Sequence, residues 1–170
     1  ILNRRESLGP KEGCRSRGEL PLEALDHAES GAAAKALADI NPEAYRPFNM
    51  VVVDNREAYW IRHKERHRSV HAEVKLLPTG LSMVTASDLN DTSSPRIRTY
   101  LPQFERASEP DVESGDWSGW KSLLASSIFD PDDGPEGAML INPVSGFGTV
   151  CSSLIALPSQ EKQGVSPRFL

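Results

Sequence analysis

Three histidines spaced four residues apart are the first candidates for chemistry in this chain. On a helix, His63, His67 and His71 would share one face and could ligate zinc, copper or haem iron. Two observations oppose a metal site: the segment follows an apparent β-hairpin, and the basic residues between the histidines repel a divalent cation. We therefore predict a solvated polar segment here and no bound metal.

Cysteine is the second candidate, because a thiolate can act as a nucleophile. Cys14 lies beside Lys11, Arg15 and Arg17, whose positive charges favour the thiolate form. No histidine is close to it in the sequence, so we predict an incidental loop cysteine, with a reactive cysteine as the alternative. Cys151 alternates with apolar residues, and this pattern predicts a small buried side chain.

A third candidate is the stretch SGFGTVCSSL at 145–154, whose glycines and hydroxyl groups could cradle an anion. It lacks the lysine of a P-loop and the G-x-G-x-x-G spacing of a dinucleotide site. A tight turn explains Gly146 and Gly148 more simply. The sequence also contains no G-x-S-x-G motif, so it gives no support for a serine hydrolase of the common α/β kind.

Composition limits the kind of protein that must position these residues. The chain has 170 residues, 38% of them hydrophobic and 25% charged, which predicts one domain. The final segment SQEKQGVSPRFL at 159–170 resembles a frayed tail, so we predict the domain over 1–158. Its formal net charge of -5 argues against nucleic acid as a partner. The longest apolar run, near 151–158, is too short to span a bilayer core of about 30 Å. The two cysteines lack C-x-x-C spacing, which favours a reducing compartment and predicts a cytoplasmic location.

The apolar periodicity predicts alternating groups of helices and strands. Helices are predicted over 20–29, 30–40, 94–107 and 116–129. Strands are predicted over 48–54, 58–63 and 81–87, and a terminal hairpin over 137–143 and 146–158. The predicted helix caps are Ser16 with Glu19, Ser30 and Asp116. Hairpin-linked strands grouped apart from helices indicate antiparallel sheets layered with helices, an α+β fold.

Four segments carry a family resemblance: LNRRES at 2–7, RSRGELPLEAL at 15–25, YRPFNMVVVD at 45–54 and GFGTVCSSLIALP at 146–158. Together they resemble the NRDE family, the relatives of the animal transport and Golgi organisation protein two. The resemblance runs from Asn3 to about Pro158. The residues after Leu2 read Asn-Arg-Arg-Glu, but they resemble the family's second motif, a Thr-Asn-x-Arg at a strand end, rather than the signature that names the family.

This resemblance implies a fold and a place for a nucleophile. Family members begin with Met-Cys on a first strand, whereas this chain begins at Ile1, so we expect the N-terminal portion of the domain to be missing. The family is grouped with N-terminal nucleophile hydrolases, which implies a four-layer αββα sandwich of antiparallel sheets with a cysteine at the start of the chain. We do not expect this segment to perform that chemistry without the cysteine.

The resemblance also marks candidate site residues. Asn3 matches the asparagine that helps to form the oxyanion hole in related cysteine amidases, where an amide NH₂ group faces developing negative charge. Arg4, with Arg5 as the alternative, would hold a ligand carboxylate, and Arg17 and Asn49 complete the predicted ligand-binding set. The competing interpretation of Asn3, Arg17 and Asn49 is turn and cap chemistry.

Three functions remain open at this point. Animal relatives imply a non-catalytic haem-handling or trafficking factor, with haem as its cargo. The porphyrin slot and propionate partners would then come from Trp60, Trp117, Trp120 and Arg62 or Arg96, although core packing is the role that we predict for the tryptophans. The second function is a cysteine hydrolase of linear amide bonds in the complete chain. Thr85-Ala86 stands where hydrolases have Thr-Asn or Ser-Asn, which weighs against it unless Asn90 compensates. The third is a protein-interaction domain.

Overall fold

The structure is a computed structural model that describes residues 1–5, 7–64, 71–143, 146, 148–162 and 164–170. Two compact units are present: unit 1 comprises Ile1–Gly80 and Val84–Leu89, and unit 2 comprises Leu81–Met83 and Asn90–Leu170. Helices are combined with sheets in which all strand pairs are antiparallel, which confirms the α+β class. The four-layer arrangement, the likeness to N-terminal nucleophile hydrolases and the domain boundary at 158 stay predictions.

Unit 1 contains a four-stranded sheet in the order β1-β2-β3-β4. The strands are β1 (Leu2–Asn3), β2 (Phe48–Val53), β3 (Ala58–His63) and β4 (Glu73–Leu76). The hairpin of β2 and β3 was predicted from its β-branched and aromatic residues and is confirmed, with Phe48 paired to His63 and Val53 to Ala58. At its turn, one carboxylate oxygen of Asp54 accepts hydrogen bonds from the backbone of Arg56 and Glu57.

Unit 1 has two helices, α1 (Glu19–Leu25) and α2 (Ser30–Ala38), and both confirm predicted helices. α2 packs on the sheet, and α1 packs on α2. Their core partners on the sheet include Phe48, Met50 and Ile61. The predicted caps are wrong. Gly18, and not Ser16, is the N-cap of α1. The Ser16 hydroxyl accepts a hydrogen bond from Gly18 N and from no N–H group of the described helix. Glu29 is the N-cap of α2.

Unit 2 contains α3 (Pro95–Arg106), α4 (Ser118–Leu124) and a two-stranded sheet of β5 (Ile155–Ala156) and β6 (Arg168–Phe169). The predicted helix from Ser94 is confirmed, with Pro95 in the first turn and Pro102 inside it. Tyr100 on α3 is fully buried, and its hydroxyl donates to the Ile128 carbonyl oxygen at 2.6 Å. Trp117 is buried as predicted, while Trp120 is half-buried with its ring edge-on to that of Phe104.

Two predicted β elements are wrong. Residues 81–87 form no strand, and several of their backbone groups pair with side chains instead: Asn49 donates to the Thr85 and Ser87 carbonyls, and Asn90 accepts from Met83 N. The terminal hairpin of 137–143 and 146–158 is also absent from the described residues. β5 pairs instead with β6, which lies in the segment predicted to be a frayed tail.

Two side-chain predictions in unit 2 are wrong. Cys151 was predicted to be buried, but it is exposed because its segment is irregular and not part of a sheet. Asp116 was predicted to be an N-cap, but α4 begins at Ser118 with Trp117 as its N-cap, although the Asp116 carboxylate does accept from Ser118 N. Among the described residues, none of the helices has the length and apolar character needed to cross a membrane.

Candidate functional site

A cluster of charged side chains in unit 1 surrounds Asp88, and we call it the Asp88 cluster. Its members are Arg4, Asn49, Arg62, Lys64, Glu73 and Asp88. The Asp88 carboxylate accepts hydrogen bonds from Arg4 Nη2 at 2.8 Å, Arg62 Nη1 at 2.6 Å and Lys64 Nζ at 2.7 Å. Arg62 also donates from Nε to Glu73 at 2.9 Å. These ion pairs join the sheet of unit 1 to the loop that carries Asp88.

The charges of this cluster compensate one another. Burial alone would raise the pKa of Asp88, but hydrogen bonds from Lys64 and Arg4 and the charges of Arg4 and Arg62 lower it to about 2. Burial alone would lower the pKa of Arg62, but Glu73 and Asp88 raise it. Asp88 is therefore ionised at neutral pH and tied to three cations.

Asn49 stands at the centre of the cluster and is fully buried. Its Nδ2 group donates to the carbonyl oxygens of Thr85 and Ser87, both at 2.7 Å. Its Oδ1 atom accepts from Arg4 Nη1 at 2.7 Å and from Trp60 Nε1 at 3.3 Å. All the donor and acceptor positions of the amide are therefore used within the chain. A ligand would have to displace these bonds, and the ligand-binding roles of Arg4 and Asn49 stay predictions.

Unit 1 also contains a cleft of about 510 Å³, and we call it the Arg17 cleft. Its polar and reactive lining residues are Asn3, Lys11, Cys14, Arg15, Ser16, Arg17 and Arg46. Among the residues that the structure describes, neither aspartate nor glutamate lines it. The cleft therefore concentrates four cationic side chains in a protein whose formal net charge is -5.

Arg17 is fixed in the cleft wall by two neutral oxygens. Its Nη1 group donates to the Ser7 hydroxyl oxygen at 3.0 Å and to the Pro47 carbonyl oxygen at 2.8 Å. Ser7 is 1% exposed, and its own hydroxyl lies 2.7 Å from the Arg4 carbonyl oxygen. Burial, and then the nearby charge of Arg46, lower the pKa of Arg17. Ser7 thus connects the Arg17 cleft to the backbone of the Asp88 cluster.

Arg46 and Arg15, two further cations of the cleft, have described contacts. Arg46 Nη1 donates to the carbonyl oxygens of Leu8 and Gly9. Arg15 pairs with Glu19, and its guanidinium carbon lies 5.4 Å from the centre of the Tyr45 ring. Cys14 is a free cysteine in this wall, so the structure places a thiol among the cations as the sequence suggested.

The predicted site residues therefore separate into two groups. Asn3, which is exposed at the end of β1, and Arg17 both line the Arg17 cleft. Arg4 and Asn49 belong to the Asp88 cluster instead. Arg5, the alternative to Arg4, donates its backbone N–H to the Ala86 carbonyl oxygen at 3.3 Å.

The aromatic and cationic residues predicted to form a porphyrin slot are divided between the units. Trp60 and Arg62 belong to unit 1, and Trp117, Trp120 and Arg96 to unit 2. Trp60 is buried, and the cationic groups of Arg62 and Lys75 lie 5.1 Å and 5.9 Å from its ring centre. Arg96 donates to the Glu136 carbonyl oxygen at 3.0 Å. Trp60 is therefore packed as a core residue.

The three histidines have different environments where they are described. His63 ends β3 and is buried, with its ring centre 5.9 Å from that of Phe48, so the predicted solvated segment does not include it. His71 is exposed, and its Nδ1 atom lies 3.9 Å from Asp39. His67 lies outside the described residues. Within the described part of the chain, no three histidine, cysteine, aspartate or glutamate side chains converge on a possible metal position.

Sequence reasoning missed Asp88, Ser7 and Arg46. Each lies next to a residue that was selected by motif or pattern, but the contacts Asp88–Arg4, Ser7–Arg17 and Arg46–Leu8 span 84, 10 and 38 positions of the chain. Asn90, considered as a substitute for the missing amidase asparagine, has a φ of 53° and accepts from Met83 N at 2.7 Å. It therefore takes part in a turn of unit 2.

The fold and the site together define an α+β protein with an antiparallel sheet, a charge-compensated cluster and a cationic cleft. The family model described as Transport and Golgi organisation 2 matches residues 1–165. The chain belongs to this family, and the resemblance found in the sequence is thereby confirmed. No curated protein and no solved structure matches the chain.

Proposed function

We propose that this family member is a non-catalytic haem-binding protein that handles or transfers haem, and that the haem carboxylates dock in the Arg17 cleft. One observation carries the proposal: the cleft of about 510 Å³ is lined by four cations and by no described carboxylate. A haem presents two propionate carboxylates, and guanidinium groups bind carboxylates through paired hydrogen bonds. The cytoplasmic location inferred from cysteine usage belongs to the same proposal.

The wall of the cleft divides into anchoring and supporting residues. Arg17 is the carboxylate anchor, since it lines the cleft and its hydrogen bonds to described residues go to the neutral oxygens of Ser7 and Pro47. Ile1 and Pro10 add apolar surface for the edge of a porphyrin. We assign Arg4 a supporting part, because only 14% of its side chain is exposed and its carbonyl oxygen holds Ser7.

Haem titration tests this proposal. Wild-type protein should shift the Soret band with a saturable dependence on haem concentration, and Arg17→Gln should raise the dissociation constant about tenfold or more, because a charge-assisted hydrogen bond is lost. Arg98→Gln is the matched control, since Arg98 lies in unit 2 and pairs with Asp133. Two results would contradict the proposal. In the first, the wild-type protein leaves the Soret band unshifted, and in the second, the Arg17→Gln variant binds haem as tightly as wild type.

A cysteine-dependent amide hydrolase is the second candidate, and the position of Asn3 favours it. Asn3 ends β1 and lines the Arg17 cleft, so its amide NH₂ group can stabilise an oxyanion formed there. The nucleophile would come from the N-terminal cysteine that the family resemblance implies for a complete chain.

Kinetics of the complete protein on linear acyl-amide substrates test this second candidate. Asn3→Ala should lower kcat about a hundredfold with little change in KM, because the amide acts mainly in the transition state. Absence of turnover by the complete protein eliminates the hydrolase.

A further inference from the structure

The guanidinium of Arg17 makes no hydrogen bond to a described residue through the edge formed by Nε and Nη2. Both of its hydrogen bonds to described residues leave from Nη1, toward the oxygens of Ser7 and Pro47. Nε and Nη2 therefore retain their donors within the described part of the chain. In arginine these two groups point in parallel and match the two oxygens of a carboxylate or phosphate.

The described partners of Arg17 also bring no negative charge to it. The Ser7 hydroxyl and the Pro47 carbonyl are dipoles without net charge, in contrast to the carboxylate that faces each arginine of the Asp88 cluster. Burial and the nearby Arg46 both oppose the charged form of Arg17 and lower its pKa. An anion in the cleft would relieve both effects.

The orientation of Arg17 is set before any ligand arrives. Ser7 is buried and lies within hydrogen-bonding distance of two backbone carbonyl oxygens as well as Arg17. An arginine held in this way loses little rotamer freedom when it binds, which improves affinity.

We infer that the Arg17 cleft is an oxyanion site that binds a carboxylate or phosphate group by itself, through the Nε and Nη2 groups of Arg17, without a porphyrin. The inference deepens the proposed function, because it rests on the same cleft and names the chemical class that the cleft recognises. It does not require haem as the ligand. A haem propionate, a dicarboxylate and a phosphate ester all present the two-oxygen group that this edge of Arg17 accepts.

The experiment uses the whole 170-residue chain and two probes, inorganic phosphate and malonate. Thermal unfolding is followed as each probe is titrated against sodium chloride at equal ionic strength, which separates binding from screening. At least one probe should raise Tm in a saturable way, and the tighter probe identifies phosphate or carboxylate as the preferred group. Arg17→Lys keeps a positive charge but loses the paired donors, so it should weaken binding about tenfold. Arg98→Lys in unit 2 is the matched control and should bind as wild type does.

Nuclear magnetic resonance on wild-type protein covers the case in which Arg17→Lys does not fold. The Nε–H signal of Arg17 should shift on addition of the tighter probe, with the same dissociation constant as the thermal titration. Each of three results would overturn the inference. The first is a Tm increase no larger than that in sodium chloride, and the second is equal affinity of wild type and Arg17→Lys for the probe. The third is an Arg17 Nε–H signal that does not shift when the probe is added.

The outcomes also separate this inference from the proposed function. If phosphate or malonate binds through Arg17 and haem does not bind, the haem proposal fails and the oxyanion site stands. If haem binding depends on Arg17 while neither small anion binds, the oxyanion inference fails and the haem proposal stands.

Discussion

Replacement of Asp88 by asparagine tests the electrostatic account of the Asp88 cluster. The substitution preserves the size and shape of the side chain but removes the negative charge that faces Arg4, Arg62 and Lys64. Arg4 and Arg62 are 14% and 15% exposed, so solvent replaces the lost carboxylate poorly, although Arg62 keeps its second partner, Glu73.

The magnitude follows from the pKa of Asp88, which falls from an ordinary value of 3.8 to about 2. One pKa unit corresponds to about 1.4 kcal/mol, so the ion pairs stabilise the folded state by about 2 kcal/mol at neutral pH. The Asp88 side chain is 29% exposed, and solvent screening reduces the expected loss in Asp88→Asn to about 1 to 2 kcal/mol.

The direction of the pH dependence follows from the same lowered pKa. A carboxylate with a lowered pKa contributes its full stabilisation above its unfolded pKa of about 3.9, and the contribution disappears as the pH falls through the folded value. The free energy of unfolding should therefore differ between wild type and Asp88→Asn by the full amount at pH 7. Roughly half of this difference should remain at pH 3, and little at pH 2.

Urea unfolding followed by tryptophan fluorescence at pH 7, 5, 3 and 2 measures this difference. Asp132→Asn is the control, because Asp132 is an exposed aspartate in unit 2. A difference that stays constant from pH 7 to pH 2, or an equal loss in Asp132→Asn, would refute the reasoning.

Three further substitutions test other parts of the structure. Asn49→Ala should lower the free energy of unfolding by about 3 kcal/mol, since two loop carbonyls lose their donor; a loss below about 1 kcal/mol in urea contradicts this. Ser7→Ala should weaken phosphate or malonate binding about threefold, because Arg17 loses one of its two anchors; unchanged affinity in the thermal titration rejects this role. Gly148→Ala should lower Tm by several degrees, because the new Cβ would lie 2.9 Å from the Ile141 carbonyl oxygen; an unaltered Tm disproves the close approach.

The local elements of unit 1 were predictable because their signals lie within short windows of sequence. The β2–β3 hairpin follows from two β-rich runs around a turn, and α1 and α2 follow from apolar periodicity and alanine content. The predicted strand over 81–87 failed for a non-local reason. The side chain of Asn49, more than 30 positions earlier, donates hydrogen bonds to the Thr85 and Ser87 carbonyl oxygens. These two carbonyl groups are then not available to a neighbouring strand, and the segment is a loop. Likewise, β5 finds its partner in β6 rather than in the nearer run that the local pattern suggested.

The candidate site was predictable only in part. The motif resemblance selected Asn3, Arg4, Arg17 and Asn49, but it could not predict which of them lie together in the folded chain. Neighbouring residues of an extended segment project to opposite sides, and the structure accordingly has Asn3 lining the Arg17 cleft while the Arg4 side chain joins the Asp88 cluster.

The sequence by itself determined the family, the α+β class and the basic stretch from Lys11 to Arg17, because each of these depends on residue types at short spacing. Only the tertiary structure decided which charges are compensated. Asp88 pairs with Arg4 across 84 positions, whereas among the described residues Arg17 donates hydrogen bonds to the neutral oxygens of Ser7 and Pro47. Chain folding sets these long-range distances, and electrostatic energy depends on distance and burial rather than on sequence spacing. For that reason the same residue type, arginine, is a neutralised structural partner at position 4 and a candidate anion anchor at position 17.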